Sequence, residues 1–110
     1  MEKVFYKKLV RDKIPEIIEN NGDVCETRIL SSDEFQTELK KKLVEESKEV
    51  LNCPKEKLAD ELVDILEIVN NLADNNDLKM EDVEKEMKLK REKRGGFDKK
   101  IFLEWSGPKS

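Results

Sequence analysis

Residues 31–74, SSDEFQTELKKKLVEESKEVLNCPKEKLADELVDILEIVNNLAD, decide the fold. The stretch holds two helical repeats separated by Asn52-Cys53-Pro54. In the first, Phe35, Leu39, Leu43 and Val50 recur at spacings of 4, 4 and 7, which places them on one face of a 3.6-residue helix. Ser31 followed three residues later by Glu34 fits a capping box, so this helix is predicted to start there and run to about Leu51. Pro54 sits at or just before the first turn of the next helix, where a missing amide costs nothing. That helix is predicted from near Lys55 to about Asp74, with Leu58, Leu62, Ile65, Val69 and Leu72 at spacings of 4, 3, 4 and 3. Asn75-Asn76-Asp77 ends it. So short a connection favours antiparallel packing of the two.

Working outward, a short helix is predicted from about Asp12 to Asn20, with Pro15 in its first turn and Ile14, Ile17 and Ile18 as its apolar face. Asn20-Asn21-Gly22 stops it, and Met1 to Val10 reads as extended or irregular. On the other side, a helix is predicted from about Glu81 to Arg94, halted by Gly95-Gly96. Val24 to Leu30 alternates like a short strand, and Ile101 to Trp105 is its one candidate partner. The reading is therefore all-α: a bundle of about four helices, with room for one small β pair, in a single domain spanning residues 1–110.

Composition narrows the function. Charged residues make up 44% of the chain and apolar ones 36%, yet the net charge is only −4 and the apolar residues are periodic, which argues for a folded domain over a disordered one. There is no histidine, so a Ser-His-Asp triad, a histidine general base and an HExxH zinc site are all excluded. Cys25 and Cys53 form no CxxC pair, which argues against a zinc ribbon or a thioredoxin-type motif. No run approaches the roughly 18 apolar residues of a membrane span, and no signal peptide is evident, so a cytoplasmic protein without a membrane partner is expected. Metal chemistry in such a chain must use oxygen ligands, which suit Mg²⁺, Mn²⁺ or Ca²⁺.

The charges are unevenly placed. Between Glu45 and Glu84 stand 13 acids and 4 bases, whereas between Lys85 and Lys100 stand 8 bases and 3 acids. Most of these are solvated helix faces, but some acids are not where a solvated face would be. The apolar repeat 35, 39, 43, 50 leaves one slot unfilled, and Glu46 fills it. Glu49 sits at the edge of the same arc, and Glu45 points away from it. On the next helix Glu61 lies one step off the stripe near Ile65 and Ile68, with Asp64 three residues on. Two facing helices each carrying an acidic pair at i and i+3 can bring four carboxylates together, which is strongly unfavourable without a cation. The pattern points to a site of Glu46, Glu49, Glu61 and Asp64 for Mg²⁺, with Mn²⁺ as the second choice.

These residues carry a family resemblance. Glu45-Glu46-x-x-Glu49, eleven residues, then Glu61-x-x-Asp64 resembles the signature of the all-α, MazG-like nucleoside triphosphate pyrophosphohydrolases. Tyr6-Lys7-Lys8-Leu9-Val10-Arg11-Asp12-Lys13-Ile14-Pro15 and Lys90-Arg91-Glu92-Lys93-Arg94-Gly95-Gly96-Phe97 are similar to the N- and C-terminal motifs of that superfamily's small, phosphoribosyl-ATP pyrophosphohydrolase-like or house-cleaning branch. The resemblance implies Mg²⁺-dependent cleavage between the α- and β-phosphates of a nucleotide, noncanonical ones included, to give a monophosphate and pyrophosphate. It implies the metal role for Glu46, Glu49, Glu61 and Asp64. The eleven-residue gap is shorter than the family's common spacing and demands a tight interhelical turn.

Lys8 and Arg11 near the start, and Lys90, Arg91 and Arg94 at the end of the last helix, are the candidate phosphate contacts, with the arginines favoured because their planar fork fits phosphate. The last three also suit a helix C-terminus with no ligand at all. Glu49, at the rim of the stripe, is the candidate to orient or deprotonate the attacking water. The third predicted helix is apolar at Leu62, Val63, Ile65, Leu66, Ile68, Val69 and Leu72, more than one face, so a homodimer or higher oligomer is expected. The alternative is a non-catalytic protein of the same helical fold that binds nucleotide or a partner. Nucleic acid is not expected as a partner, because the basic arm is short, interleaved with acids and almost free of aromatics.

Overall fold

A computed structural model describes residues 2–109. Four α-helices form in the order α1 (Ile14–Asn20), α2 (Ser32–Asn52), α3 (Leu58–Asn75) and α4 (Met80–Arg94). A single 3-10 turn, Lys55–Lys57, leads into α3. The fold is all-α. The chain divides into two compact units, Met1–Leu78 and Lys79–Ser110.

The first unit is built on the α2–α3 hairpin. The capping box forms at the start of α2: the Ser31 side chain accepts from the Glu34 amide, and the Glu34 side chain accepts from the Ser31 amide. Two of the amides orphaned at the helix start are thereby satisfied. After α2 the chain extends through Cys53 and Pro54, and the 3-10 turn delays α3 by three residues relative to the predicted start at Lys55. The hairpin is antiparallel. Its open end is clamped by Asn75 Nδ2, which donates to the Ser32 carbonyl at 3.2 Å and to Gln36 Oε1 at 3.1 Å, and by Asn76 Nδ2, which donates to the same Gln36 Oε1 at 2.8 Å. α3 ends with Asp77 in the left-handed region at φ 56° and the Leu78 amide donating back to the Ala73 carbonyl at 2.8 Å, a Schellman-type stop made without glycine.

Leu39, Ile68 and Ala73 are buried, at 3%, 5% and 5% exposure, and form the centre of this core. Phe35, Leu43, Val50, Ile65, Val69 and Leu72 flank them half-buried, as the stripes require. The stripe is not covered along its whole length: Leu58 and Leu62, at its start, are exposed, as are Val63 and Leu66 beside it. α1 is shorter at its start than predicted. Asp12 and Lys13 form a turn, no side chain caps the helix, and Pro15 occupies its first turn.

In the second unit, α4 carries Glu81 and Asp82 in its first turn and Arg91, Lys93 and Arg94 in its last, matching the helix dipole at both ends. Gly95, at φ +84°, ends it, with its amide donating to the Arg91 carbonyl at 2.7 Å.

The anticipated β pair does not form. No strand occurs among the described residues, and 24–30 and 101–105 are irregular. A strand needs a neighbour for its amides and carbonyls and for its apolar face. Val24 and Ile29, which a strand would place on opposite faces, are 93% and 95% exposed, so neither side chain packs.

Candidate metal centre

The antiparallel register that pairs Ser32 with Asn75 also sets the middle of α2 opposite the first half of α3. There Glu46 from α2 meets Glu61 and Asp64 from α3, and one carboxylate oxygen from each lies within 4.8 Å of the other two. All three residues are half-buried, whereas Glu45 and Glu49 are exposed. Helical geometry accounts for the division. Glu46 occupies the empty slot of the apolar stripe and is carried into the interface, while Glu45, one residue earlier, is turned about 100° toward solvent. The structure thus gathers three of the four proposed ligands, and Glu49 stands outside the group on the same helix, one turn on.

The crowding has electrostatic consequences. Burial, together with a hydrogen bond shared with Glu61 and the nearby charge of Asp64, pushes the Glu46 carboxyl above its ordinary value, against a smaller opposing pull from Lys42. Without a cation, then, Glu46 holds a proton more readily than an ordinary glutamate does. A cation is nonetheless at hand in the chain. Arg11 Nη2 donates to Asp64 Oδ1 at 2.7 Å. The bond to Asp64 holds the guanidinium more firmly charged than usual, with Glu67 and Glu46 adding to the effect. This ion pair joins residues 53 apart in sequence, and no helical period or motif spacing signals it.

The other predicted contacts fall as follows. Lys8 is exposed, its Nζ 5.8 Å from the centroid of the Tyr6 ring, and it lines a groove with Leu9, Glu38, Lys41, Lys42 and Glu45 along α2. It does not share a face with Arg11 in the manner of a helix, because residues 8–11 are not helical. Lys90, Arg91 and Arg94 are exposed on α4 in the second unit. Phe97 and Trp105 are exposed at 96% and 82%. One further pair went unread in the sequence: Arg28 Nη2 donates to Glu34 Oε2 at 3.0 Å, tying the segment before α2 to its capping residue and lowering the Glu34 carboxyl.

No protein-family model, curated protein or solved structure matches the chain. No helix among the described residues is long and apolar enough to cross a membrane.

Proposed function

We propose that the chain is a Mg²⁺-dependent nucleotide pyrophosphohydrolase of the MazG-like kind, cleaving a nucleoside triphosphate to monophosphate and pyrophosphate. The observation that carries this reading is the convergence of Glu46, Glu61 and Asp64 from two facing helices, with oxygens within 4.8 Å of one another. The donor set fits the ion. It is all oxygen, as Mg²⁺ and Mn²⁺ prefer. Ligands of an octahedral ion at about 2.1 Å stand roughly 3 Å apart when adjacent and about 4.2 Å when opposite, so small side-chain rotations close the group around one. A bound divalent ion supplies charge neutralisation for the phosphates and activation of water.

In this reading Glu46, Glu61 and Asp64 hold the ion. Glu49, exposed one turn on from Glu46, is the candidate to orient the water or take its proton. Arg11, Lys8, Lys90, Arg91 and Arg94 are the cationic candidates for phosphate oxygens. Cleavage of a phosphoanhydride asks little more of a protein than this, which is how a chain without histidine performs it. The enzyme is cytoplasmic and works as a homodimer or higher oligomer, for which the exposed Leu62, Val63 and Leu66 on α3 are the supporting observation. Light scattering that returns the 12.9 kDa monomer at micromolar concentration would remove the oligomer from the account.

The test is a panel of canonical and noncanonical nucleoside triphosphates, scored for pyrophosphate with Mg²⁺ or Mn²⁺ and with EDTA. At least one substrate should give metal-dependent pyrophosphate with the wild type and none with Glu46→Ala. Absence of pyrophosphate across the panel, or full activity in EDTA, would contradict the reading.

A further inference from the structure

We infer that Arg11 is the resident counter-ion of the carboxylate group and that a divalent cation displaces it from Asp64, freeing the segment before α1 from α3. This rests on the metal-dependent reading of the site given above. Asp64 is the residue shared by two arrangements. Its Oδ1 accepts from Arg11 Nη2 at 2.7 Å, and it belongs to the three residues whose carboxylate oxygens lie within 4.8 Å of one another. A guanidinium on that carboxylate and a divalent ion among the same three residues place like charges side by side, so each weakens the other's hold. The guanidinium is the weaker competitor. It brings one charge and one hydrogen bond, and its pair is partly open to water, with the Arg11 and Asp64 side chains 54% and 33% exposed. Exposed pairs of this kind are worth little and break readily.

What the pair holds in place is the end of the N-terminal segment nearest α1; further back, residues 7–9 lie along α2 with Leu9 half-buried. Among the described residues, no other hydrogen bond joins residues 2–13 to α2 or α3, and α1 makes no backbone-level packing with either helix. The Arg11 carbonyl accepts from the Ile14 amide at 3.0 Å, so the anchor sits directly against the first turn of α1. Losing the Asp64 contact therefore loosens the arm at its junction with that helix. In the cation-free protein Arg11 is tied to Asp64 at the junction with α1; with the cation in place, that tie is released and the guanidinium is free.

The experiment follows the Arg11 side-chain Nε–Hε resonance and the backbone ¹⁵N relaxation of residues 7–13 in the whole chain, in EDTA and with saturating Mg²⁺. Calorimetry measures Mg²⁺ binding to the wild type and to Arg11→Ala in parallel. In EDTA the wild type should show the ion-paired Arg11 signal, and Asp64→Asn should lose it and gain arm mobility. Mg²⁺ should shift the wild type to the Asp64→Asn pattern. Arg11→Ala should bind Mg²⁺ about fivefold more tightly than the wild type, the change expected from removing an exposed charge pair that competes for one ligand. An Asp64→Asn arm as ordered as the wild type's would overturn the anchor. Mg²⁺ that binds with the Arg11 signal unmoved, or equally well to Arg11→Ala, would overturn the displacement alone. A wild type that binds no Mg²⁺ would overturn the displacement together with the metal-dependent reading on which it rests.

Discussion

α3 and α4 are neighbours in sequence and similar in length, but different forces position them. α3 buries Ile68 and Ala73 against α2, and the hairpin register follows from that burial. α4 buries no residue; Met80 and Val83 are half-buried, while Met87 and Leu89 are 63% and 56% exposed. Its helicity rests on acids at one end, bases at the other and Gly95 as a stop. The contrast bears on how charges can be read. A carboxylate in an apolar stripe is conspicuous, because burial fixes where it points and what it meets. A basic residue on a helix held by local signals is equally explained by solvent, dipole or ligand.

The contrast can be broken most severely in the core. Leu39→Ala removes one of the three apolar side chains buried among the described residues and should destabilise the protein by about 2–4 kcal/mol. Met87→Ala on the exposed side of α4 should change stability by less than about 0.5 kcal/mol. Denaturant melts of both variants check the pair, and similar losses would mean that α4 is positioned by burial after all.

The next effect sharpens the ambiguity of α4. If Arg94 contacts phosphate, Arg94→Ala should raise KM roughly ten- to a hundred-fold, the loss of one charge-assisted contact, with little change in melting temperature or Mg²⁺ affinity. Arg94→Lys should recover only part, because Lys cannot form the planar fork. An unchanged KM with a lowered melting temperature would assign Arg94 to the helix end alone.

The smallest effect lies in the hairpin and depends on pH. Burial, the bond to Glu61 and the charge of Asp64 raise Glu46 above its unfolded value, so the folded metal-free protein holds that proton more tightly. The resulting stability is present below the unfolded pKa and is lost as pH rises through the folded one. Glu34 acts in the opposite sense: lowered by Arg28, it stabilises above its unfolded pKa and loses that contribution as pH falls. The difference between wild type and Glu46→Gln in EDTA separates the two. Glu46→Gln should flatten the decline in melting temperature as pH rises through the Glu46 titration, and identical profiles would show that Glu46 is not under this strain.

Legibility in the sequence follows the same division. The α2–α3 hairpin was readable because burial and capping agree: the stripes, Ser31 with Glu34, and the Asn52-Cys53-Pro54 break together locate both helices to within about a turn. Glu46 was readable as the residue filling an apolar slot, and Glu61 with Asp64 as the matching pair across the interface. The Arg11–Asp64 bond was not, since it forms from an irregular segment whose direction no periodicity sets. The alternation in Val24 to Leu30 suggested a strand, but alternation states only which side chains face alike and supplies no partner to pair with. In α4, Lys90, Arg91 and Arg94 were located correctly on the last turns of a helix, while what they face is not encoded in a helix that buries nothing.

Whether Glu46, Glu61 and Asp64 together hold a divalent cation, as proposed, is decided by calorimetric titration of Mg²⁺ into the wild type and Glu46→Ala, with circular dichroism confirming that both are folded. The wild type should bind Mg²⁺ saturably, and a Glu46→Ala protein of unchanged helicity should not. Equal Mg²⁺ affinity in the two, or none in the wild type, would contradict the proposed site.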